Sequence, residues 1–237
     1  PGFQGSAAWV VRAGDTAVAQ YPPGTAALAV PAYWLWPDSD AVAPYVGFDG
    51  EQVALPAPPI PPGAITSATV AAITAGLVGL MFRRFTDDRT AILGAYVAGL
   101  GTGLWSVAAN TLWQHGPAMM WIAAGTLLSS SHRVWSGLGF GVGILTRPHT
   151  ALVAAGNGLV QAFRSRSLVP AVQIGSGAAL GLGLLVLFNW AVFGSPSISG
   201  GYTSVFTERA TTIDLPDFLG NVVLALIHPL RGLLVYS

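Results

Sequence analysis

Residues 168–193 read LVPAVQIGSGAALGLGLLVLFNWAVF, twenty-six positions without one Asp, Glu, Lys or Arg. A membrane-spanning helix needs about 20 mostly apolar residues, so this stretch reads as a crossing. Residues 64–82 (AITSATVAAITAGLVGLMF) and 90–109 read the same way. Between them lie shorter apolar runs, 117–128, 134–145 and 151–163, each closed by polar or Pro-containing punctuation. Extended through its polar flanks, each run reaches roughly 16 residues, or about 24 Å at 1.5 Å per residue. That nearly crosses a hydrocarbon core of about 30 Å where the bilayer thins or a wet cavity meets the helix ends. The spacing therefore predicts an all-α polytopic membrane protein of about six transmembrane helices, with an outer interfacial helix and an outer loop at each end.

Composition agrees. The 237 residues are 52% hydrophobic and only 8% charged, against about 25% charged for a soluble domain, and the mean hydropathy is +0.59. A soluble globule is excluded. Ten Arg balance ten Asp plus Glu and Lys is absent, so no basic surface exists to hold nucleic acid by counterion release. Cys is absent as well, which removes disulfides, thiolate metal sites and cysteine nucleophiles together. The chain starts at Pro1 and stops inside the apolar stretch Leu233-Leu234-Val235, and is expected to be an internal fragment of a longer membrane protein.

The loops test the crossing count through the excess of Arg on the cytoplasmic side. Alternation gathers Arg83, Arg84, Arg89, Arg133, Arg164 and Arg166 on one side, in short connections. That side is read as cytoplasmic. Arg12, Arg147, Arg209 and Arg231, with every acid except Asp87 and Asp88, fall on the other. The expected organisation is an extracytoplasmic loop at 1–63, a bundle at 64–193 and a truncated extracytoplasmic loop at 194–237. Within the first loop, residues 9–12 and 16–21 flank Ala13-Gly14-Asp15 as a hairpin with Asp15 in the turn. Residues 25–36 are apolar and aromatic but too short to span, and Tyr33, Trp34 and Trp36 suit headgroup depth. Pro56, Pro58, Pro59, Pro61 and Pro62 make the stretch 44–62 a stiff linker.

Gly137, Gly139, Gly141 and Gly143 look like a dinucleotide loop on paper. No strand precedes them, and close helix packing is the better reading, as for Gly177 and Gly181. The informative segments are two outer connections, Asn110-Thr111-Leu112-Trp113-Gln114-His115-Gly116-Pro117 and Leu145-Thr146-Arg147-Pro148-His149. Each carries Pro where a helix would begin, and a helix N-terminus offers N–H donors and partial positive charge to an anion. Arg147 at the membrane edge needs water or a partner, which a lipid-linked phosphate would supply. The structural alternatives are Arg147 reaching bulk headgroups and His115 capping a helix or bonding the Trp113 backbone. His149 falls in a first helical turn, His132 in a solvated cytoplasmic loop, and His228 and Arg231 in the last outer segment.

Tyr21-Pro22-Pro23-Gly24, the segment Thr111 to Pro117, Leu145-Thr146-Arg147-Pro148, and Pro229-Leu230-Arg231-Gly232-Leu233-Leu234-Val235-Tyr236-Ser237 together resemble the bacterial membrane glycosyltransferases of the C-type superfamily. These are relatives of protein O-mannosyltransferases and aminoarabinose transferases. The resemblance implies an integral protein of the bacterial cytoplasmic membrane, with both ends of this chain outside, that transfers a sugar from a polyprenyl-phosphate donor to an extracytoplasmic acceptor. It further implies inversion at the anomeric carbon, with positive charge meeting the departing phosphate. The family's principal carboxylate would lie before Pro1, and Asp15 does not match its motif. Where several relatives have a second acid, this sequence has Gln114-His115, which leaves a divalent cation open as cofactor. On this basis the donor-phosphate candidates are Arg147, His115, Gln114, Tyr21, His149 and Arg231. A transporter or scaffold protein with broken helices is the alternative, although no internal repeat is visible.

Overall fold

The computed structural model describes residues 10–13, 16–37, 42–46, 52–56, 59–202 and 215–227. It is helical apart from two antiparallel hairpins. The first pairs β1 (Val10–Ala13) with β2 (Thr16–Ala19), Val10 facing Ala19, as the sequence predicts; Asp15 lies outside the described residues. Helix α1 (Gly24–Trp34) follows, close to the expected interfacial segment. The second hairpin, β3 (Val42–Val46) with β4 (Gln52–Pro56), corrects the reading of 44–62 as a stiff linker. Pro44 and Pro56 lie within its strands, which a hairpin accepts because edge positions leave some N–H groups unused. Pro61 and Pro62 are not linker either. They enter the first turn of α2 (Ile60–Phe82), where a missing N–H is free of cost.

The bundle continues with α3 (Asp88–Leu100), α4 (His115–Leu128), α5 (Arg133–Thr146), α6 (Thr150–Ser165) and α7 (Val169–Phe193). Of the six expected crossings, α2 and α7 are long and apolar enough to cross a membrane. The other four helices run 13, 14, 14 and 16 residues. The continuous window at 90–109 is corrected: α3 stops at Gly101, and a π-helical turn, Leu104–Ala108, takes over. Gly101-Thr102-Gly103 explains the break, because glycine weakens a helix interior and Thr102 Oγ1 both donates to Ala98 O at 2.7 Å and accepts from Leu104 N–H at 3.2 Å. Polar residues within α2 are satisfied locally: Thr66, Ser67 and Thr74 donate to carbonyls four residues back at 2.7–2.8 Å.

Helices α5 and α7 meet along glycine. A Cβ at Gly141 would stand 2.7 Å from Gly177 O, and one at Gly177 would stand 2.8 Å from Gly137 Cα. Gly139 faces Gly125 of α4, and Gly143 faces Thr150 and Trp121. The glycine run is a packing seam. Around it Phe140, Ile144, Ile174 and Leu185 are fully buried. Residues 201–237 form a separate unit that carries α8 (Leu215–Ile227).

The arginine-bearing connections gather at one end of the bundle. Arg83 pairs with Asp88 at 2.7 Å, and Arg84 donates to Ser130 Oγ at 3.1 Å and to the Leu127 carbonyl, tying the end of α2 to the end of α4. Gln161 Nε2 of α6 donates to Ser129 Oγ at 3.1 Å. His132 sits here, exposed, in the turn before α5.

Candidate functional site

The opposite end is built by the turn between α5 and α6 and the start of α4. Pro148 disfavours helical backbone at the residue before it, so Arg147 leaves α5 in an extended conformation (φ −148°, ψ 116°) while its N–H still donates to Gly143 O at 2.8 Å. The guanidinium then reaches α4. Arg147 Nη1 lies 3.0 Å from Nε2 of His115 and also contacts Nδ1. His115 is the first residue of α4 and stacks on Trp113, with ring centroids 6.5 Å apart. Thus the two Pro-marked connections share one contact, between residues 32 apart in sequence.

Arg147 also ends α5, beside that helix's carbonyl groups, where a cation is favoured. The N–H groups opening α6 are less available than the sequence suggests: Thr150, Ala151 and Leu152 donate at 3.0 Å to the carbonyls of Arg147, Pro148 and His149. An anion here would be held by side chains rather than by a bare helix start. Both histidines stand in the connections before their helices' apolar runs. Burial and the Arg147 charge hold His115 below the ordinary imidazole pKa, and burial, Arg147 and His115 do the same for His149. A neutral His115 can accept from the guanidinium; a protonated one cannot. The resting cluster therefore carries the single positive charge of Arg147.

Three orphaned polar atoms lie on the segments that frame it. Gln114 Nε2 and the hydroxyls of Thr25 and Thr150 are buried with no hydrogen-bond partner among the described residues. Gln114 adjoins His115 and Thr150 opens α6. Thr25 follows Gly24, which is pressed so closely on the turn that a Cβ there would stand 2.7 Å from Leu145 O. Unpaired buried polar groups each cost about 1–3 kcal/mol. Thr25 and Thr150 were not legible as candidates, because a threonine at a helix start reads as a cap. Neither caps its helix here.

The structure thus joins Arg147, His115 and His149, with Gln114 alongside. Tyr21 stands three residues before Gly24 and is exposed. Arg231 and His228 lie outside the described residues. A divalent cation does not fit the cluster: the donors are two imidazoles beside a fixed guanidinium charge. No group of three or more His, Asp or Glu suited to a metal occurs among the described residues, and at the arginine-rich end Asp87 caps α3 while Asp88 pairs with Arg83. No protein-family model, curated protein or solved structure matches the chain.

Proposed function

We propose that the chain is the donor-binding part of a C-type-superfamily membrane glycosyltransferase, and that Arg147, with His115 and His149, receives the phosphate of a polyprenyl-phosphate sugar. The contact between Arg147 and His115 carries this reading, because it brings a charge without a carboxylate partner among the described residues to a neutral imidazole, with His149 near enough to feel the Arg147 charge. In transfer, the bond between the anomeric carbon and the phosphate oxygen breaks as the acceptor oxygen bonds to that carbon. Arg147 meets the negative charge that develops on the leaving phosphate.

The membrane reading has separate support. A third or less of each candidate span is buried, 33% for α2 and 28% for α7, whereas the core helix of a soluble protein is mostly enclosed. Ile92, Leu93, Tyr96 and Val97 of α3 and Leu152, Leu159 and Phe163 of α6 are also exposed, a surface that suits lipid better than water. On this reading α2, α3 with its π-helical turn, α4, α5, α6 and α7 cross six times, the short helices relying on local thinning. The arginine end is cytoplasmic, α1 lies in the outer interface, and both ends of the chain are outside. Because the chain lacks Cys, single-Cys variants probe this directly. In intact cells, Cys at Asp88 or Ser165 should resist an impermeant thiol reagent, while Cys at Asp49 or Thr212 should label. Labelling at Asp88 would reverse the sidedness.

A transport function is the second reading, and the broken helix at Gly101–Gly103 favours it. Vesicles containing the purified full-length protein decide between the two. A glycosyltransferase should convert a polyprenyl-phosphate sugar to polyprenyl phosphate in the presence of acceptor. Movement of a solute across the vesicle without any chemical change would support transport instead. The donor reading also has a pH signature. A bound phosphate favours imidazolium at His115 and His149, so the complex holds more protons than the free protein, and affinity for the polyprenyl-phosphate sugar, whose phosphodiester does not titrate in this range, should rise as pH falls from about 8 to about 6. An affinity independent of pH would mean that neither histidine faces the phosphate.

A further inference from the structure

We propose that the arginine end of the bundle carries a second lipid site, a groove between α2, α4 and α6 that seats one acyl chain of an anionic phospholipid with its phosphate between Arg84 and Arg164. The groove encloses about 530 Å³. Met81, Phe85, Val153 and Val160 make its surface mainly apolar, Asn157 and Gln161 stand among them on α6, and Gly156 leaves the α6 side open. Along α6 it extends from Val153 to Arg164, eleven residues or about 16 Å of helix rise. That is half of a hydrocarbon core of about 30 Å, the depth of one leaflet.

Charge is confined to one end of the groove. Arg84 and Arg164 flank its mouth and no acid lines it; Asp88 is engaged by Arg83. Arg84 is fixed in place by its bonds to Ser130 and the Leu127 carbonyl. Two cations at headgroup level above an apolar trough one leaflet deep match a phospholipid bearing net negative charge, and select against a zwitterionic one. The site rests on the membrane reading of the bundle and is independent of the donor site, which lies at the opposite end.

Native mass spectrometry of the purified full-length protein, after incubation with equal amounts of phosphatidylglycerol and phosphatidylcholine of the same chains, tests this. Phosphatidylglycerol should be retained about 25-fold better, since each of the two Arg near the headgroup contributes about a factor of five. Arg84→Gln combined with Arg164→Gln should remove the preference. Gly156→Leu should lower retention of both lipids without harming the fold, because a Cβ there meets nothing within 4 Å and leucine is the better helix former. Arg147→Ala should leave retention unchanged, and glycerol phosphate, which has no acyl chain, should not compete. Equal retention of the two lipids, or full retention in Gly156→Leu, would overturn the proposal. So would full competition by glycerol phosphate, or loss that follows Arg147→Ala rather than the Arg84/Arg164 pair. Failure of the donor reading, seen as undiminished transfer by Arg147→Ala, would leave this result unaffected.

Discussion

Gly141→Leu should prevent the chain from assembling its central helix pair. A Cβ at this position stands 2.7 Å from Gly177 O and 3.3 Å from Gly181 N, so the added side chain meets main chain, which cannot swing aside as a flexible side chain would. Overpacking a core typically costs about 1–3 kcal/mol, and a backbone-to-backbone seam belongs at the top of that range or above it. A loss of about 3 kcal/mol or more removes a large share of a stability of about 5–15 kcal/mol. The full-length protein in detergent should show a much lower unfolding temperature or a collapse in yield. Gly183→Ala, on the same helix but with nothing within 4 Å of its Cβ, should be neutral or slightly stabilising, by up to about 1 kcal/mol. An unfolding temperature for Gly141→Leu close to that of the parent would mean that α5 and α7 do not pack through their glycines.

Arg147→Ala should lower the catalytic efficiency of donor use by about 10- to 100-fold. A charge-assisted hydrogen bond contributes about 1.5–3 kcal/mol, and the whole of it appears in kcat/KM if the contact persists into the transition state. Arg147→Lys should restore part of the loss, since Lys keeps the charge without the planar two-point fork. Stability should change little, because the partner left behind is an exposed His115 rather than a buried charge. His115→Ala should have the smaller effect, as His115 is neutral at rest and steadies the guanidinium. Full activity in Arg147→Ala would move the phosphate elsewhere and leave Arg147 as a lipid-headgroup contact. Loss of folding would make it a structural tie between α4 and α5.

Helix positions were largely legible because apolar runs and their Pro or Arg punctuation report where a chain can leave an apolar environment. The reading of 64–82 falls within α2, and those of 134–145 and 168–193 lie close to α5 and α7. Two features escaped. The break after Leu100 is hidden because Gly and Thr are as common inside tightly packed membrane helices as at their ends; only the Thr102 bonds to Ala98 and Leu104 reveal it. The β3–β4 hairpin is masked by proline, which reads as linker composition wherever strand partners are unknown. For the site, Pro117 and Pro148 pointed to two helix-starting turns, yet no spacing rule places Arg147 on His115. That contact depends on how α4 packs on α5, and the packing is set by Gly125 and Gly139 at mid-helix. The polar hydroxyls of Thr25 and Thr150 were invisible for the same reason, since their isolation arises only when α1 closes over the α5–α6 turn.

The affinity of the full-length protein for polyprenyl phosphate, measured in phosphatidylcholine micelles for the parent, Arg147→Ala and Arg84→Gln, bears most directly on the assignment of the Arg147–His115 cluster. The cluster predicts binding that is weakened by about tenfold or more in Arg147→Ala and unchanged in Arg84→Gln. Equal affinity in the parent and Arg147→Ala, or a loss confined to Arg84→Gln, would contradict it.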